Sequence, residues 1–167
     1  MTNVVVRVIR TAKLAGFLAL ALAAAGCANR TADPTAGGAG GPPGSQQDFV
    51  VNVGDRVFFE TDQTDLTPQA RATLDKQAQW LTQYNRYTFT IEGHADERGT
   101  REYNIALGAK RAQTVRAFLV QQGINPARIR TASYGKERPV AVCNDISCWS
   151  QNRRAQTVVN GRHDARS

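Results

Sequence analysis

The sequence is poor in the residues that most metal centres and nucleophilic active sites use. It has two histidines and three cysteines among 167 residues. His163 lies in the C-terminal tail, and no serine or cysteine lies in a recognisable setting beside a base. A zinc site would need more ligands than the chain offers near Cys143 and Cys148. The sequence therefore indicates neither a zinc centre nor an activated nucleophile, and we expect no cofactor.

The sequence also has no clustered run of basic residues. Its formal net charge is +7, and Arg7, Arg10 and Lys13 supply three of the positive charges in a segment without acidic residues. The chain beyond residue 26 therefore carries 7 − 3 = +4. Proteins that bind nucleic acid usually concentrate Lys and Arg on one face. We therefore do not expect nucleic acid as a partner.

No apolar run is long enough to cross a bilayer, for which about 20 residues are needed. The run from Leu14 to Ala25 is short, follows the basic segment and ends at Gly26-Cys27. This arrangement predicts a secretory signal peptide over residues 1–26. A short membrane anchor is the alternative.

Large apolar residues are almost absent from residues 27–47, where glycine and proline are frequent. This composition is typical of a disordered linker, because it offers too little apolar surface to bury. We expect one folded domain over residues 48–161, followed by a flexible tail over residues 162–167.

The expected domain alternates strand-like and helix-like patterns. Four segments read as strands: Arg56–Phe59, Tyr87–Glu92, Arg128–Gly135 and Gln156–Asn160. Helices are expected after Thr67-Pro68 and after Thr100, where a hydroxyl is placed to cap the helix. The segment Lys136–Ser150 is expected to be irregular. The order β-α-β-α-β-β predicts an α/β (α+β) two-layer sandwich with helices on one face of a small mixed sheet.

Ionisable residues are concentrated between the second strand and the second helix. We expect Gly93 to end the strand, so that Asp96 lies in the loop and Arg111 on the helix that follows. Both side chains are then expected on the same side of the segment formed by the strand, the loop and the helix. A carboxylate binds an ammonium, and a guanidinium binds a carboxylate bidentately, so the pair could hold a zwitterion. The alternatives are a plain Asp96–Arg111 salt bridge, or an Asp96 that serves only to accept hydrogen bonds from N–H groups of the loop.

The loop from Glu60 to Asp65 carries three carboxylates in six residues. It lacks the glycine and the distal glutamate of an EF-hand calcium loop. We therefore expect no metal ion in this loop.

Several strings in this region resemble one known family. GHADERGTREYNIALGAKRA is similar to the signature of the OmpA-like peptidoglycan-binding domain. The strings GHADERGT, EYNIALG, SYGKERP and QNRRA resemble those of the peptidoglycan-associated lipoproteins (Pal) of the Tol-Pal system. The resemblance extends from about Val57 to Val159, and the motifs occur in the family's order.

The resemblance implies a non-catalytic outer-membrane lipoprotein that links the membrane to the cell wall and supports envelope integrity and membrane invagination at division. It implies that the domain binds diaminopimelate in the peptidoglycan stem peptide. The residues at the matching positions are Asp62, Asp96, Arg98, Leu107 and Arg111. It also implies TolB and other Tol proteins as partners. Two alternatives remain open: a module that mainly binds a periplasmic protein, and a wall hydrolase in which carboxylates of residues 60–65 and 96–97 converge.

The cysteines fit this resemblance. Ala24-Ala25-Gly26-Cys27 resembles a bacterial lipobox, although Ala24 stands where the family prefers leucine. The resemblance implies that Cys27 carries the lipid, including palmitate, which anchors the chain in the outer membrane with its domain facing the periplasm. In that oxidising setting the remaining Cys143 and Cys148 are expected to form a disulfide.

Overall fold

The computed structural model describes residues 40–162 of the chain. The predicted signal peptide, the lipidation of Cys27 and most of the predicted linker and tail lie outside these residues. The elements are, in chain order, α1 (Gln46–Asp48), a π-helical turn (Phe49–Gly54), β1 (Arg56–Phe58), α2 (Pro68–Gln83), β2 (Tyr87–His94), α3 (Arg101–Gln121), a 3-10 turn (Pro126–Arg128), β3 (Ile129–Gly135), α4 (Ile146–Asn152) and β4 (Arg154–Arg162). Among the helices of this part, none is both long enough and apolar enough for a membrane crossing.

The strands form one mixed sheet in the order β1-β4-β2-β3. Strand β2 is parallel to β3, and β4 runs antiparallel to both β1 and β2. Alternate side chains of β2, among them Phe89 and Ile91, are fully buried. The predicted two-layer α/β sandwich with a small mixed sheet is therefore confirmed.

Both long helices begin at the predicted caps. The hydroxyl of Thr67 accepts a hydrogen bond from the backbone N–H of Ala70 at 3.1 Å. The hydroxyl of Thr100 accepts one from the N–H of Tyr103 at 3.2 Å. Each cap satisfies one of the N–H groups that the first turn of a helix leaves unpaired. These contacts fix where α2 and α3 start, and so where their buried faces point.

Helix α3 lies unusually close to β2 because two glycines face each other. A Cβ built on Gly93 would lie 1.8 Å from the carbonyl oxygen of Gly108, and one on Gly108 would lie 2.8 Å from the carbonyl oxygen of Gly93. The expectation that Gly93 ends the strand is wrong, because β2 continues to His94. A glycine inside a strand often marks such a close approach of another backbone.

The segment expected to be irregular contains the start of helix α4. Asp145 caps this helix by accepting a hydrogen bond from the N–H of Ser147 at 2.8 Å. The predicted disulfide between Cys143 and Cys148 is confirmed. Strand β4 begins at Arg154, two residues earlier than expected.

The residues before β1 also pack onto the domain. The carbonyl of Gly44 accepts hydrogen bonds from Tyr87 Oη at 2.8 Å and from Arg86 Nη2 at 2.9 Å. Phe49 is fully buried, with its ring centroid 4.9 Å from that of Trp80. Asp48 accepts a hydrogen bond from Trp80 Nε1 at 2.8 Å. Trp80 is thus a packing residue.

Candidate functional site

A cavity of about 300 Å³ lies between the loop before α2, the loop after β2 and the first three turns of α3. Its lining includes all five residues expected to bind the ligand: Asp62, Asp96, Arg98, Leu107 and Arg111. The other lining residues are Thr61, Gly99, Tyr103 and Asn104. The fold therefore brings the predicted set together, and its binding role stays a prediction.

Asp96 is the buried acidic group of the cavity, with 7% of its surface exposed. Arg98 donates to both of its carboxylate oxygens, from Nε at 3.2 Å and from Nη2 at 2.7 Å. Arg153 Nη1 lies 3.3 Å from Oδ2. Burial raises the pKa of Asp96, but the hydrogen bonds from Arg98 and Arg153 more than offset this, so the pKa lies below its usual value. Asp96 is therefore an ionised carboxylate at neutral pH.

Arg111 is fully buried and is held by three backbone carbonyls. Its Nε, Nη1 and Nη2 donate to the carbonyl oxygens of Gln63, His94 and Glu60 at 2.9, 2.8 and 3.2 Å. Burial, followed by the nearby charge of Arg153, lowers its pKa to about 10, so it remains a cation at neutral pH. Within residues 40–162 the ion pairs of Asp96 join it to Arg98 and Arg153. The alternative of a direct Asp96–Arg111 salt bridge is thus not realised in this part of the chain.

Asp62 approaches the cavity from the loop before α2 with an unusual backbone conformation. Its φ is +61°, which is uncommon for a residue other than glycine. Tyr103 Oη donates a hydrogen bond to its carboxylate. Left-handed backbone of this kind costs about 1–3 kcal/mol and tends to occur at binding sites. Tyr103 is not among the site residues predicted from the sequence, although its spacing of four from Leu107 and eight from Arg111 on one helix face could have indicated it.

Hydrogen bonds to backbone groups hold the loop after β2 in place. Asn104 Nδ2 donates to the carbonyl of Arg98 at 2.8 Å. Lys136 Nζ donates to the carbonyl of Gly99 at 2.7 Å. The N–H of Ala95 donates to the carbonyl of Gly135 at 2.8 Å. The loop is therefore fixed at both ends by α3 and by the end of β3.

Arg153 and Arg154 are buried rather than surface residues. The QNRRA string alone does not show whether they face a ligand or partner or pair with Glu92, Glu97 or Asp145. Arg153 Nε donates to the carbonyl of Phe59 at 3.0 Å, and its Nη1 supports Asp96. Arg154 Nη2 donates to the carbonyl of Arg138 at 3.2 Å. Arg153 thus contributes a second guanidinium to Asp96, a contact that the sequence alone does not predict.

His94 lies at the end of β2 and is 1% exposed. Its ring stacks on Tyr134 with 5.6 Å between centroids, and its Nε2 lies 3.9 Å from a carboxylate oxygen of Glu92. Neither ring nitrogen has a hydrogen-bond partner among residues 40–162. Burial and the charges of Arg154 and Arg138 lower its pKa to about 4. His94 is therefore neutral at pH 7 in the folded protein.

The low pKa of His94 predicts that the domain loses stability in mild acid. In the unfolded chain histidine titrates near 6.5, so below that pH the unfolded state binds a proton that the folded state does not. The free energy of unfolding is therefore highest above pH 6.5, where His94 is neutral in both states. It falls by on the order of 2–3 kcal/mol as the pH drops to about 4. Urea unfolding of the wild type and of His94→Phe at pH 7 and pH 4.5 measures it. We expect a smaller acid loss in the variant, and equal losses would contradict the assignment.

The fold and the cavity together define an OmpA-like domain, and comparison with known proteins agrees. The model of the OmpA family matches residues 58–155. Peptidoglycan-associated lipoproteins of Agrobacterium fabrum and Rhizobium meliloti are 62% and 61% identical to the chain, each over 86% of this chain and 85% of the relative. The crystal structure of the peptidoglycan-associated lipoprotein from Burkholderia pseudomallei superposes with a TM-score of 0.65 at 38% identity, covering 70% of this chain and 100% of that one.

These matches cover most of the chain and most of each relative. The chain therefore belongs to the OmpA family, in its peptidoglycan-associated lipoprotein branch.

Proposed function

We propose that the chain is a non-catalytic outer-membrane lipoprotein that binds the diaminopimelate side chain of peptidoglycan stem peptides and so ties the outer membrane to the cell wall. The observation that carries the proposal is the lining of one cavity by all five expected residues, two of them acidic and two of them arginines. The names of the close relatives support association with peptidoglycan.

The charges of the cavity suit a zwitterion. Diaminopimelate in a stem peptide ends in an ammonium and a carboxylate on one carbon. Asp62 and Asp96 supply two negative charges, and Arg98 and Arg111 supply two positive charges. We assign the ammonium to Asp96. A guanidinium has five N–H groups, and three of those of Arg111 hold carbonyls. The other two are left for the ligand carboxylate, which would form charge-assisted hydrogen bonds with them.

The same geometry argues against catalysis by these residues. Asp96 is held ionised by two arginines, so it is a poor proton donor at neutral pH. His94 is fully buried and is not among the lining residues of the cavity. A hydrolase would need an acid and a base that reach the substrate. We therefore assign the cavity a binding role.

A sedimentation assay tests this function. The chain without its signal segment, residues 28–167, is mixed with purified sacculi and centrifuged, and the supernatant is analysed for muropeptides. We expect the protein in the pellet and no released muropeptides. Release of muropeptides would indicate a hydrolase. Protein that stays in the supernatant would favour the alternative in which a periplasmic protein is the main ligand.

The membrane anchor is a proposal that rests on Cys27, which lies outside the described residues. More than one acyl chain on the mature N-terminus would make membrane attachment stable. The names of the relatives, which are lipoproteins, support it. Cell fractionation of Cys27→Ser tests it: we expect the variant to leave the outer-membrane fraction, and a variant that remains there would refute lipidation at this residue.

We also propose TolB and other Tol proteins as partners, with a TolB surface that overlaps the cavity. Such an overlap would make the wall and TolB compete, so that each chain is either wall-bound or partner-bound. Many copies anchored in one membrane would still bind the polymeric wall tightly, because multivalent attachment adds avidity. Addition of purified TolB to the sedimentation assay tests the overlap, since competition requires the pelleted fraction to fall.

A further inference from the structure

Helix α4 contacts the loop after β2 through Trp149. The indole Nε1 donates a hydrogen bond to Glu97 Oε1 at 2.9 Å. The face of the same ring carries the guanidinium of Arg98, whose Cζ lies 4.3 Å from the ring centroid. One side chain of α4 therefore holds two consecutive residues of the loop, and one of them, Arg98, lines the cavity.

Arg98 is the group through which this contact reaches the cavity. Its side chain is 42% exposed, yet it reaches both carboxylate oxygens of Asp96. An exposed arginine ordinarily samples many rotamers, so a surface ion pair contributes little by itself. The ring of Trp149 occupies one face of the guanidinium and attracts the cation. It therefore restricts Arg98 to rotamers that keep it on Asp96.

Trp149 is well placed for this because α4 is itself held firmly. The disulfide between Cys143 and Cys148 closes the turn that leads into the helix. Asn152, at the other end, accepts a hydrogen bond from the N–H of Val140 at 2.8 Å and donates one to the carbonyl of Ala141 at 2.7 Å. The residue after the helix, Arg153, joins Asp96 directly. Asp96 is thus supported from α4 in two ways: through Arg98, which Trp149 contacts, and through Arg153, which follows the helix.

We propose that Trp149 is a positioning residue of the binding site, which holds Arg98 in the arrangement that meets the ligand. The proposal rests on the proposed function and adds to it a residue outside the cavity lining. Because Arg98 is ordered before the ligand arrives, little of its rotamer freedom has to be lost on binding. Trp149 acts through Arg98 and makes no contact with the ligand.

A cycle of substitutions tests this proposal on the full-length chain in detergent micelles. Calorimetry measures binding of a soluble stem tripeptide that ends in diaminopimelate. Trp149→Leu keeps an apolar side chain but removes the aromatic face and the N–H, and we expect about three- to tenfold weaker binding. Trp149→Phe keeps the face and is expected to bind within about twofold of the wild type. Trp149→Met repeats the first comparison with a second helix-favouring side chain if the leucine variant fails to fold.

The decisive comparison uses Arg98→Ala alone and combined with Trp149→Leu. If Trp149 acts only through Arg98, the double variant binds no more weakly than Arg98→Ala. A general structural role would instead make the two losses multiply, and this result would overturn the proposal, as would wild-type affinity in Trp149→Leu. Failure of the wild type itself to bind the tripeptide is a separate outcome, because it contradicts the proposed function on which the inference depends.

Discussion

Replacing Asp96 with asparagine is expected to weaken binding to purified sacculi by more than about 30-fold, because losing one partner of a buried charge pair costs about 2–5 kcal/mol. The substitution keeps the size of the side chain and removes the charge assigned to the ligand ammonium. It also leaves Arg98 and Arg153 without their carboxylate. We therefore expect some loss of stability, which thermal unfolding followed by circular dichroism would measure.

Asp75→Asn is the matched control for this prediction. Asp75 is exposed on α2 and is not part of the cavity lining. The control makes the same chemical change and the same change in net charge, so it should pellet with sacculi like the wild type. Equal binding by the folded Asp96→Asn variant and by the control would show that Asp96 is structural in this chain.

Arg111 needs a different substitution from Asp96. Alanine would leave the carbonyls of Glu60, Gln63 and His94 without their buried donor, and each unsatisfied group costs about 1–3 kcal/mol. A loss of binding in that variant would therefore be confounded by unfolding. Lysine keeps the charge and three N–H donors but loses the planar fork, so we expect Arg111→Lys to bind sacculi more weakly than Arg116→Lys, its control on the same helix.

The second large effect is expected at Gly93, where alanine should lower the free energy of unfolding by more than about 3 kcal/mol or prevent folding. The added Cβ would lie 1.8 Å from the carbonyl oxygen of Gly108, which is backbone and cannot rotate away. Helix α3 would have to move off β2, and the distance between Asp96 and Arg111 would change with it. Chemical denaturation measures the effect.

Gly123→Ala separates this clash from the general effect of losing a glycine. A Cβ at Gly123 would meet no atom within 4 Å, although its φ of +92° is unfavourable for alanine. We expect a loss of about 1–2 kcal/mol there, from backbone strain alone. A Gly93→Ala variant no less stable than Gly123→Ala would contradict the close approach of α3 and β2.

The elements with strong local signals could be predicted from the sequence. Helix α2 begins where Thr67 and Pro68 indicate, because capping and the preference of proline for the first turn depend only on neighbouring residues. Asp96 and Arg111 lie beside one cavity because they follow β2 along consecutive elements, and a strand and the helix after it pack together. The positions of these two residues therefore followed from local reasoning.

Other features depend on distant contacts and could not be predicted. Helix α4 has seven residues, fewer than the roughly 12–15 that an isolated helix needs. It is stabilised by the disulfide of Cys143 and by the contacts of Asn152 with Ala141. The sequence alone does not show whether Arg153 faces a ligand or pairs with a carboxylate, because its burial and its contact with Asp96 depend on the packing of β4 beside β1.

The central claim is that the cavity recognises both charged groups of diaminopimelate, and one titration tests it most directly. Calorimetry measures the binding of the wild-type chain to a soluble stem tripeptide ending in diaminopimelate, and to the same peptide after amidation of the side-chain carboxylate that shares a carbon with the ammonium. Amidation removes the charge assigned to Arg111 and leaves the ammonium for Asp96. We predict saturable binding of the first peptide and at least about tenfold weaker binding of the second, since a hydrogen bond to a charged group contributes about 1.5–3 kcal/mol. Equal affinity for the two peptides, or no binding of either, would contradict the account.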